Sequence, residues 1–171
     1  GTEGAGVYNT GTFTSDTASE INVTGNNSIG VYNKGTLTTK GKIVTTSEKS
    51  TGIFSEAGTV TNTGIIDVSG KSVKAIVGKG VTTVTSTGKV TVNGTALSDT
   101  DGSVGLGAMN GATISQTNAD TNITVGDSAS IGLYANGKDN IPTAVTTTLK
   151  VTGGTVTAKD GAFNTYAANS G

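Results

Sequence analysis

A seven-fold recurrence of a small residue followed by an apolar one runs through this 171-residue chain, usually with an aromatic or another apolar residue third. The occurrences are Gly6-Val7-Tyr8, Gly30-Val31-Tyr32, Gly52-Ile53-Phe54, Ala75-Ile76-Val77, Gly105-Leu106-Gly107, Gly132-Leu133-Tyr134 and Gly161-Ala162-Phe163. Their starts, near residues 6, 30, 52, 75, 105, 132 and 161, lie 24, 22, 23, 30, 27 and 29 residues apart. Such periods are typical of solenoids, whose units cannot bury a hydrophobic face alone. We therefore expect residues 1–171 to form a single repeat domain.

Each repeat carries two further apolar signatures in a fixed order, and both alternate with period two. The first is a Thr-apolar-Thr triplet or a variant of it: Thr12-Phe13-Thr14, Thr36-Leu37-Thr38, Thr59-Val60-Thr61, Thr83-Val84-Thr85, Thr113-Ile114-Ser115 and Ala144-Val145-Thr146. The second is an apolar-x-apolar pair: Ile21/Val23, Ile66/Val68, Val90/Val92, Ile123/Val125 and Leu149/Val151, with Ile43/Thr45 as a polar variant. Each repeat thus offers three short strands. The segments Asn9-Thr10-Gly11, Asn33-Lys34-Gly35 and Asn136-Gly137 predict corners, because Gly and Asn reach positive φ at little cost.

Three strands and three corners in about 23 residues describe one coil of a parallel β-helix, in which equivalent strands of successive coils pair about 4.8 Å apart. The sequence therefore predicts an all-β, right-handed parallel β-helix of about six three-strand coils, the handedness being expected from β-twist and coil length. Helical alternatives fail because the apolar residues do not sustain helical spacing and poor helix formers dominate. The sequence shows no polar caps, so we expect a fragment of a longer array.

The composition excludes several classes of function. All 11 basic residues are Lys, and the chain has no Arg, His, Cys or Trp. Catalysis and phosphate capture usually recruit those missing residues, and the 12 acidic residues are scattered, so we predict no enzyme, no catalytic residue and no cofactor. A formal net charge of −1 gives no basic field for nucleic acid, and the lack of Cys excludes disulfides and thiolate metal sites.

Two stretches carry a resemblance to a known family. The segments GVYNKGTLTTKGKIV (residues 30–44) and TNTGIIDVSGKSVKAIVGKG (residues 61–80) resemble the passenger domains of large autotransporter adhesins, particularly those of fusobacteria. The shared repeat pattern is Gly-aliphatic-aromatic, Asn-x-Gly, Thr-apolar-Thr and then Gly-x-aliphatic, and it spans nearly the whole chain. The resemblance implies a right-handed β-helix displayed outside the cell and anchored to the outer membrane by a C-terminal barrel that this fragment does not contain. It also implies adhesion to host cells or other bacteria through a protein or glycan receptor.

Two kinds of surface feature are candidate binding sites. The aromatic column Tyr8, Tyr32 and Phe54 would stand on consecutive coils and point outward; it either contacts a ligand or stacks on itself to lock the coils in register. The column is interrupted at Val77 and Gly107, and the repeat pattern predicts that it continues at Tyr134 and Phe163.

Longer intervals predict loops at 93–103, 116–122 and 135–143, either as recognition sites or as insertions that the scaffold tolerates. Within them, the candidate contact residues are Asp99, Asp101, Asn136, Lys138 and Asp139. The segment Asp99-Thr100-Asp101-Gly102 is similar to the start of a calcium loop, but the bidentate Glu that such a loop requires does not follow, so no metal site is predicted.

Two alternative functions keep the same fold. A passive stalk would only space a distal binding tip from the membrane, and the regularity of the repeats suits this role. An ice-binding solenoid would use two outward columns, Thr12/Thr36/Thr59/Thr83 and Thr14/Thr38/Thr61/Thr85, as a lattice that orders water. The β-propensity of Thr and its packing in ladders also explain these columns without a ligand.

Overall fold

The computed structural model describes residues 4–137 and 146–168, and β-strands are the only regular secondary structure in those residues. In chain order the strands are β1 (Gly4–Asn9), β2 (Thr12–Thr14), β3 (Glu20–Val23), β4 (Ser28–Asn33), β5 (Thr36–Thr39), β6 (Lys42–Thr45), β7 (Thr51–Ser55), β8 (Gly58–Asn62), β9 (Ile65–Lys71), β10 (Lys74–Lys79), β11 (Thr82–Ser86), β12 (Val90–Thr95), β13 (Val104–Met109), β14 (Thr113–Gln116), β15 (Asn122–Val125), β16 (Ile131–Asn136), β17 (Thr148–Val151), β18 (Thr155–Ala158) and β19 (Phe163–Ala168).

These strands form three parallel sheets, each built from every third strand. The first sheet runs β1-β4-β7-β10-β13-β16-β19, the second β2-β5-β8-β11-β14-β17 and the third β3-β6-β9-β12-β15-β18. Every pairing between coils is parallel, so each coil adds one strand to each sheet before the next coil begins. The prediction of a right-handed parallel β-helix of about six coils is confirmed.

Apolar columns from all three sheets fill the interior. The completely or almost completely buried side chains are Val31, Ile53, Ile76 and Leu106 in the first sheet, Leu37, Val60, Val84 and Ile114 in the second, and Ile43, Ile66, Val68, Val90, Val92, Ile123 and Val125 in the third. Burial of each such side chain contributes about 1.5–3 kcal/mol to folding. The flanking Thr residues of the second sheet point to the outside, as the period-two pattern predicts.

The corners contain buried polar side chains that bond from coil to coil. At the carboxyl ends of the strands of the first sheet, Asn9 Nδ2 donates to Asn33 Oδ1 at 2.7 Å, and Asn33 Nδ2 donates to Ser55 Oγ at 3.1 Å. At the end of the second, Thr39 Oγ1 donates to Asn62 Oδ1 at 2.8 Å, and Asn62 Nδ2 donates to Ser86 Oγ at 2.9 Å. These bonds satisfy groups that burial would otherwise penalise, and they tie adjacent coils together.

Gly35 and Gly64, at two corners, are needed for close stacking rather than for a left-handed backbone. Gly11 and Gly35 do not have positive φ, which corrects the reason we gave for them from the sequence. A Cβ on Gly35 would lie 2.1 Å from the carbonyl oxygen of Gly11, and a Cβ on Gly64 would lie 1.9 Å from that of Gly41. The backbones of successive coils therefore approach too closely at these corners for any side chain.

One core position is expected to gain stability from losing a polar group. Thr45 is completely buried between Val23 and Val68, and its hydroxyl has no hydrogen-bond partner. We expect Thr45→Val to raise the free energy of unfolding by about 1 kcal/mol, because an unpaired buried hydroxyl is costly. Thr39→Val is the matched control and should lower it by a similar amount, since Thr39 bonds to Asn62. Urea denaturation measures both, and a destabilised Thr45→Val would contradict the assigned burial.

The last coil differs from the sequence prediction in its strand assignment. Leu149 and Val151 were predicted for the third sheet, but β17 pairs with β14 in the second sheet, where Leu149 adjoins Ile114. Gly153 and Gly154, both with φ +80°, turn the chain after β17, and Val156 of β18 then takes the place in the third sheet next to Ile123. The triplet that begins at Ala144 was predicted for the second sheet, and its first two residues lie outside the described residues.

The repeat start predicted near residue 161 is also displaced. Tyr166, not Phe163, pairs with Tyr134, while Phe163 pairs with Ile131 at the beginning of β19. Gly161 has φ +85° and belongs to the preceding turn, so it is not the small strand residue of the repeat. A smaller difference lies in the third sheet, where Ile123 pairs with Val92 rather than Val90.

Candidate functional site

Three aromatic side chains form a continuous stack on the outer surface of the first sheet, which we call the aromatic ladder: Tyr8, Tyr32 and Phe54. The register of β1, β4 and β7 places them side by side on consecutive coils. The ring centroids of Tyr8 and Tyr32 lie 5.1 Å apart, and those of Tyr32 and Phe54 lie 5.5 Å apart, with nearly parallel planes. Tyr8 is 64% exposed, whereas Tyr32 and Phe54 are half-buried. The ladder therefore stacks on itself and still presents aromatic surface to solvent.

A charged pair borders the ladder, and the sequence interpretation did not include it. Lys34 Nζ lies 3.1 Å from a carboxylate oxygen of Glu56 and 5.6 Å from the ring centroid of Tyr32. The Tyr32 hydroxyl donates a hydrogen bond to the same carboxylate. Lys34 and Glu56 each follow a ladder residue by two positions, and this equivalent spacing is the sequence signal that could have identified them. The pair joins the second and third coils next to the aromatic rings.

The local contacts shift the ionisation of all three groups. The hydrogen bond from Tyr32, and then that from Lys34, hold the pKa of the Glu56 carboxyl below its usual range. The same carboxylate raises the pKa of Tyr32 and the pKa of Lys34. The side chains of Lys34 and Glu56 are 43% and 36% exposed, so solvent screening keeps the contribution of the pair to stability small.

The pKa of Glu56 provides a test of this arrangement. We expect NMR titration to find it below the usual glutamate value, and Tyr32→Phe to raise it more than Lys34→Met does, because the Tyr32 hydrogen bond is the larger cause. The pKa of Glu56 is lower in the folded than in the unfolded chain. The stability that its carboxylate contributes is therefore present above the unfolded-state pKa and is lost as the pH falls through the folded-state pKa. An unchanged Glu56 pKa in Tyr32→Phe would show that the hydrogen bond does not form in solution.

A second, shorter aromatic stack lies further along the same sheet. The rings of Tyr134 and Tyr166 are 5.7 Å apart, and Asn136 Nδ2 donates to the Tyr134 hydroxyl at 2.9 Å. Buried Val77 and Gly107 separate this stack from the aromatic ladder, as the sequence predicts. Tyr166 takes the place that was predicted for Phe163, because of the displaced register of β19.

The predicted loop 93–103 is smaller than expected, and its two candidate carboxylates are in different environments. Asn93 to Thr95 belong to β12, and Ser103 is buried and accepts a hydrogen bond from the Val73 amide. Asp101 is held by the Ser72 hydroxyl and by Lys49 at 2.9 Å, contacts that lower the pKa of Asp101 in that order. Asp99 is exposed beside Asp127 and Asp160 in an open depression. Asp101 therefore fastens the loop to the scaffold, and Asp99 remains on the surface.

The predicted loop 116–122 exposes Thr117, Ala119, Asp120 and Asn122, but its first residue does not belong to the surface. Gln116 was predicted in a loop, but it ends β14 and is completely buried, with Nε2 donating to the carbonyl of Gly88 at 2.8 Å. An inward polar residue at a corner continues the ladder of Asn62 and Ser86, which explains the difference. Asn136 ends β16, and Lys138 and Asp139 lie outside the described residues.

The outer surface of the second sheet is a threonine face, formed by two columns on successive strands. One column is Thr12, Thr36, Thr59, Thr83, Thr113 and Thr148; the other is Thr14, Thr38, Thr61, Thr85, Ser115 and Lys150. The structure thus extends the predicted columns by two coils. The side chains are exposed or half-buried.

Residues 4–137 and 146–168 contain no helix of the length and apolarity that a membrane span requires, and no group of three or more His, Cys, Asp or Glu arranged to hold a metal ion. Neither known protein families, nor curated proteins, nor solved structures give a match to this chain.

Proposed function

We propose that the chain is a segment of a surface-displayed autotransporter adhesin passenger, which attaches a bacterium to host cells or other bacteria. The observation that carries this proposal is the exposed aromatic ladder with its Lys34–Glu56 border on one side of a stiff rod. Aromatic side chains are enriched at binding hot spots, and an exposed aromatic strip of this kind marks a surface that contacts other molecules. The parent chain would be extracellular and anchored to the outer membrane, as the resemblance implies.

The rod geometry suits adhesion physically. Paired strands continue from coil to coil in all three sheets, so surface groups are held at fixed spacing along the axis. Weak contacts in fixed geometry act together, because the first contact raises the effective concentration of the next. The receptor in this proposal is a protein or a glycan on the opposing cell.

Binding of the purified, labelled chain to candidate host and bacterial cells, measured by flow cytometry, tests the proposal. We expect saturable binding that unlabelled chain displaces. The unfolded variant Val31→Asp with Ile53→Asp should show none, since it destroys the scaffold while changing only two residues of the chain. Equal binding by the folded and unfolded chains would mean that the signal is nonspecific and would contradict the proposal.

A passive stalk is the alternative that the corner contacts favour. Asp101 is tied back to Ser72 and Lys49, so this part of the predicted loop 93–103 lies against the scaffold rather than projecting from it. If a folded chain fails to bind cells that the full-length parent does bind, this segment is a spacer.

The threonine face favours ice binding as a further candidate function. Its hydroxyls repeat about every 4.8 Å between coils and about every 6.6 Å along each strand, in an uncharged lattice as far as Ser115. Thermal hysteresis in a freezing assay, abolished by Thr59→Lys with Thr61→Lys, would support this candidate; its absence from the folded chain would reject it.

A further inference from the structure

Both faces of the central ring of the aromatic ladder, Tyr32, are covered by the ladder itself, whereas Tyr8 stacks on one ring and is 64% exposed. Tyr32 has Tyr8 on one side and Phe54 on the other, at interplanar angles of 11° and 26°. Phe54 in turn is followed in the register by Val77, which is almost completely buried. The central ring therefore presents its edges to solvent, while both of its faces are engaged in stacking.

This geometry decides which chemistry the ladder can recognise. A sugar ring packs flat on an aromatic face, and the ladder offers no free face at its central ring. Ring edges carry partial positive charge and favour the faces of other aromatic rings, in edge-to-face contacts. They also suit acceptor oxygens.

The charged groups beside the ladder also favour acceptor oxygens. The Lys34 ammonium lies beside the Tyr32 ring, while the Glu56 carboxylate is engaged by both Lys34 and the Tyr32 hydroxyl. Lys79 also lies close enough to Glu56 to lower the pKa of that carboxyl. Two lysines thus accompany one carboxylate, so the border of the ladder carries net positive charge and complements carbonyl or carboxylate oxygens.

We infer that the centre of the aromatic ladder, at Tyr32, binds a protein, through aromatic ring faces with acceptor oxygens beside them, and does not bind a glycan. This inference rests on the proposed function and narrows its receptor from protein or glycan to protein. The second coil, with Tyr32 and Lys34, is the centre of the contact, and Tyr8 and Phe54 extend it along the rod.

The inference is tested by measuring cell binding of three chains: the wild type, a ladder variant and a matched control. The ladder variant is Tyr8→Leu with Phe54→Leu, which keeps apolar bulk on the strands but removes two rings; the matched control is Thr14→Ala with Thr61→Ala on the threonine face. Far-UV spectra and melting establish that each chain is folded. We expect the ladder variant to bind about tenfold more weakly than wild type, and the control to bind like wild type. Should Leu disturb the strands, Tyr8→Ser alone serves as the milder variant.

The target cells are then treated separately with protease and with periodate. The inference expects the ladder-dependent binding to disappear after protease and to survive periodate. Ladder-dependent binding that periodate removes would overturn the inference and leave adhesion intact, as would saturable binding that the ladder variant retains.

A second arm does not depend on cells. N-acetyltryptophanamide should shift the ring-proton NMR signals of Tyr32, and methyl β-galactoside should not. The reverse order overturns the inference even if the chain binds no cell at all, so the failure of the recognition chemistry and the failure of the adhesin proposal are separate results.

Discussion

Val31→Asp combined with Ile53→Asp is expected to abolish folding of the rod. Both side chains are completely buried, and they adjoin in the register of β4 and β7. Two carboxylates would be desolvated next to each other with no cation to pair with, at a cost of several kcal/mol each, and a domain has only about 5–15 kcal/mol of stability in total. We expect loss of the β-type far-UV spectrum and of cooperative melting.

The control for this variant places the same charges on the outside. Thr36 and Thr59 also adjoin in the register of neighbouring coils, but both are exposed. Thr36→Asp with Thr59→Asp should melt cooperatively within a few degrees of wild type, because water solvates both carboxylates. If the two double variants were equally stable, or if the interior variant kept native melting, the assigned inner and outer faces would be wrong.

Gly64→Ala is expected to be strongly destabilising, although it adds only one methyl group. The new Cβ would lie 1.9 Å from the Gly41 carbonyl oxygen and 2.7 Å from the carbonyl carbon of Lys40, which are backbone atoms of the preceding coil. Relief requires the coils to separate, which disrupts the neighbouring ladder of Thr39 and Asn62. We expect a loss of about 3 kcal/mol in the free energy of unfolding, the upper end of overpacking costs, measured by urea denaturation.

Gly107→Ala is the matched control for the same chemical change. A Cβ there would meet only side chains at ordinary distances, the nearest being Val104 Cγ1 at 3.4 Å, and the φ of Gly107 is not in the left-handed region. Its stability should stay close to that of wild type. Equal destabilisation by the two substitutions would indicate that general glycine flexibility, and not contact between coils, explains the corner glycines.

The period-two patterns predicted the fold because each apolar residue that they assign to the interior must face the same core. They could not fix the register between coils, because a shift of two residues leaves every side chain on the same face. The pairing of Ile123 with Val92 rather than Val90 shows this limit. The displacement of β17 into the second sheet has a similar cause, since Leu149 and Val151 satisfy the pattern of either sheet and the turn at Gly153 and Gly154 decides between them.

The sequence predicts which residues of the candidate site lie on neighbouring coils, but it does not predict the contacts between their side chains. The placement of Tyr8, Tyr32 and Phe54 on consecutive coils follows from the repeat alone. The engagement of Glu56 by Lys34 and Tyr32 depends on side-chain rotamers. Likewise, nothing in the sequence distinguishes the tethered Asp101 from the exposed Asp99 two residues before it.

Cysteine cross-linking tests the stacking of the coils most directly, because the natural chain contains no cysteine. Thr59 and Thr83 are register partners on β8 and β11. Their Cα atoms should lie about 4.8 Å apart, within reach of a disulfide, whereas Thr59 and Thr85 should be about 8 Å apart and out of reach. We predict that oxidation of the Thr59→Cys, Thr83→Cys chain gives an intramolecular disulfide and that oxidation of the Thr59→Cys, Thr85→Cys chain does not. Efficient bridging of the second pair without the first would contradict the register on which the core, the aromatic ladder and the threonine face all depend.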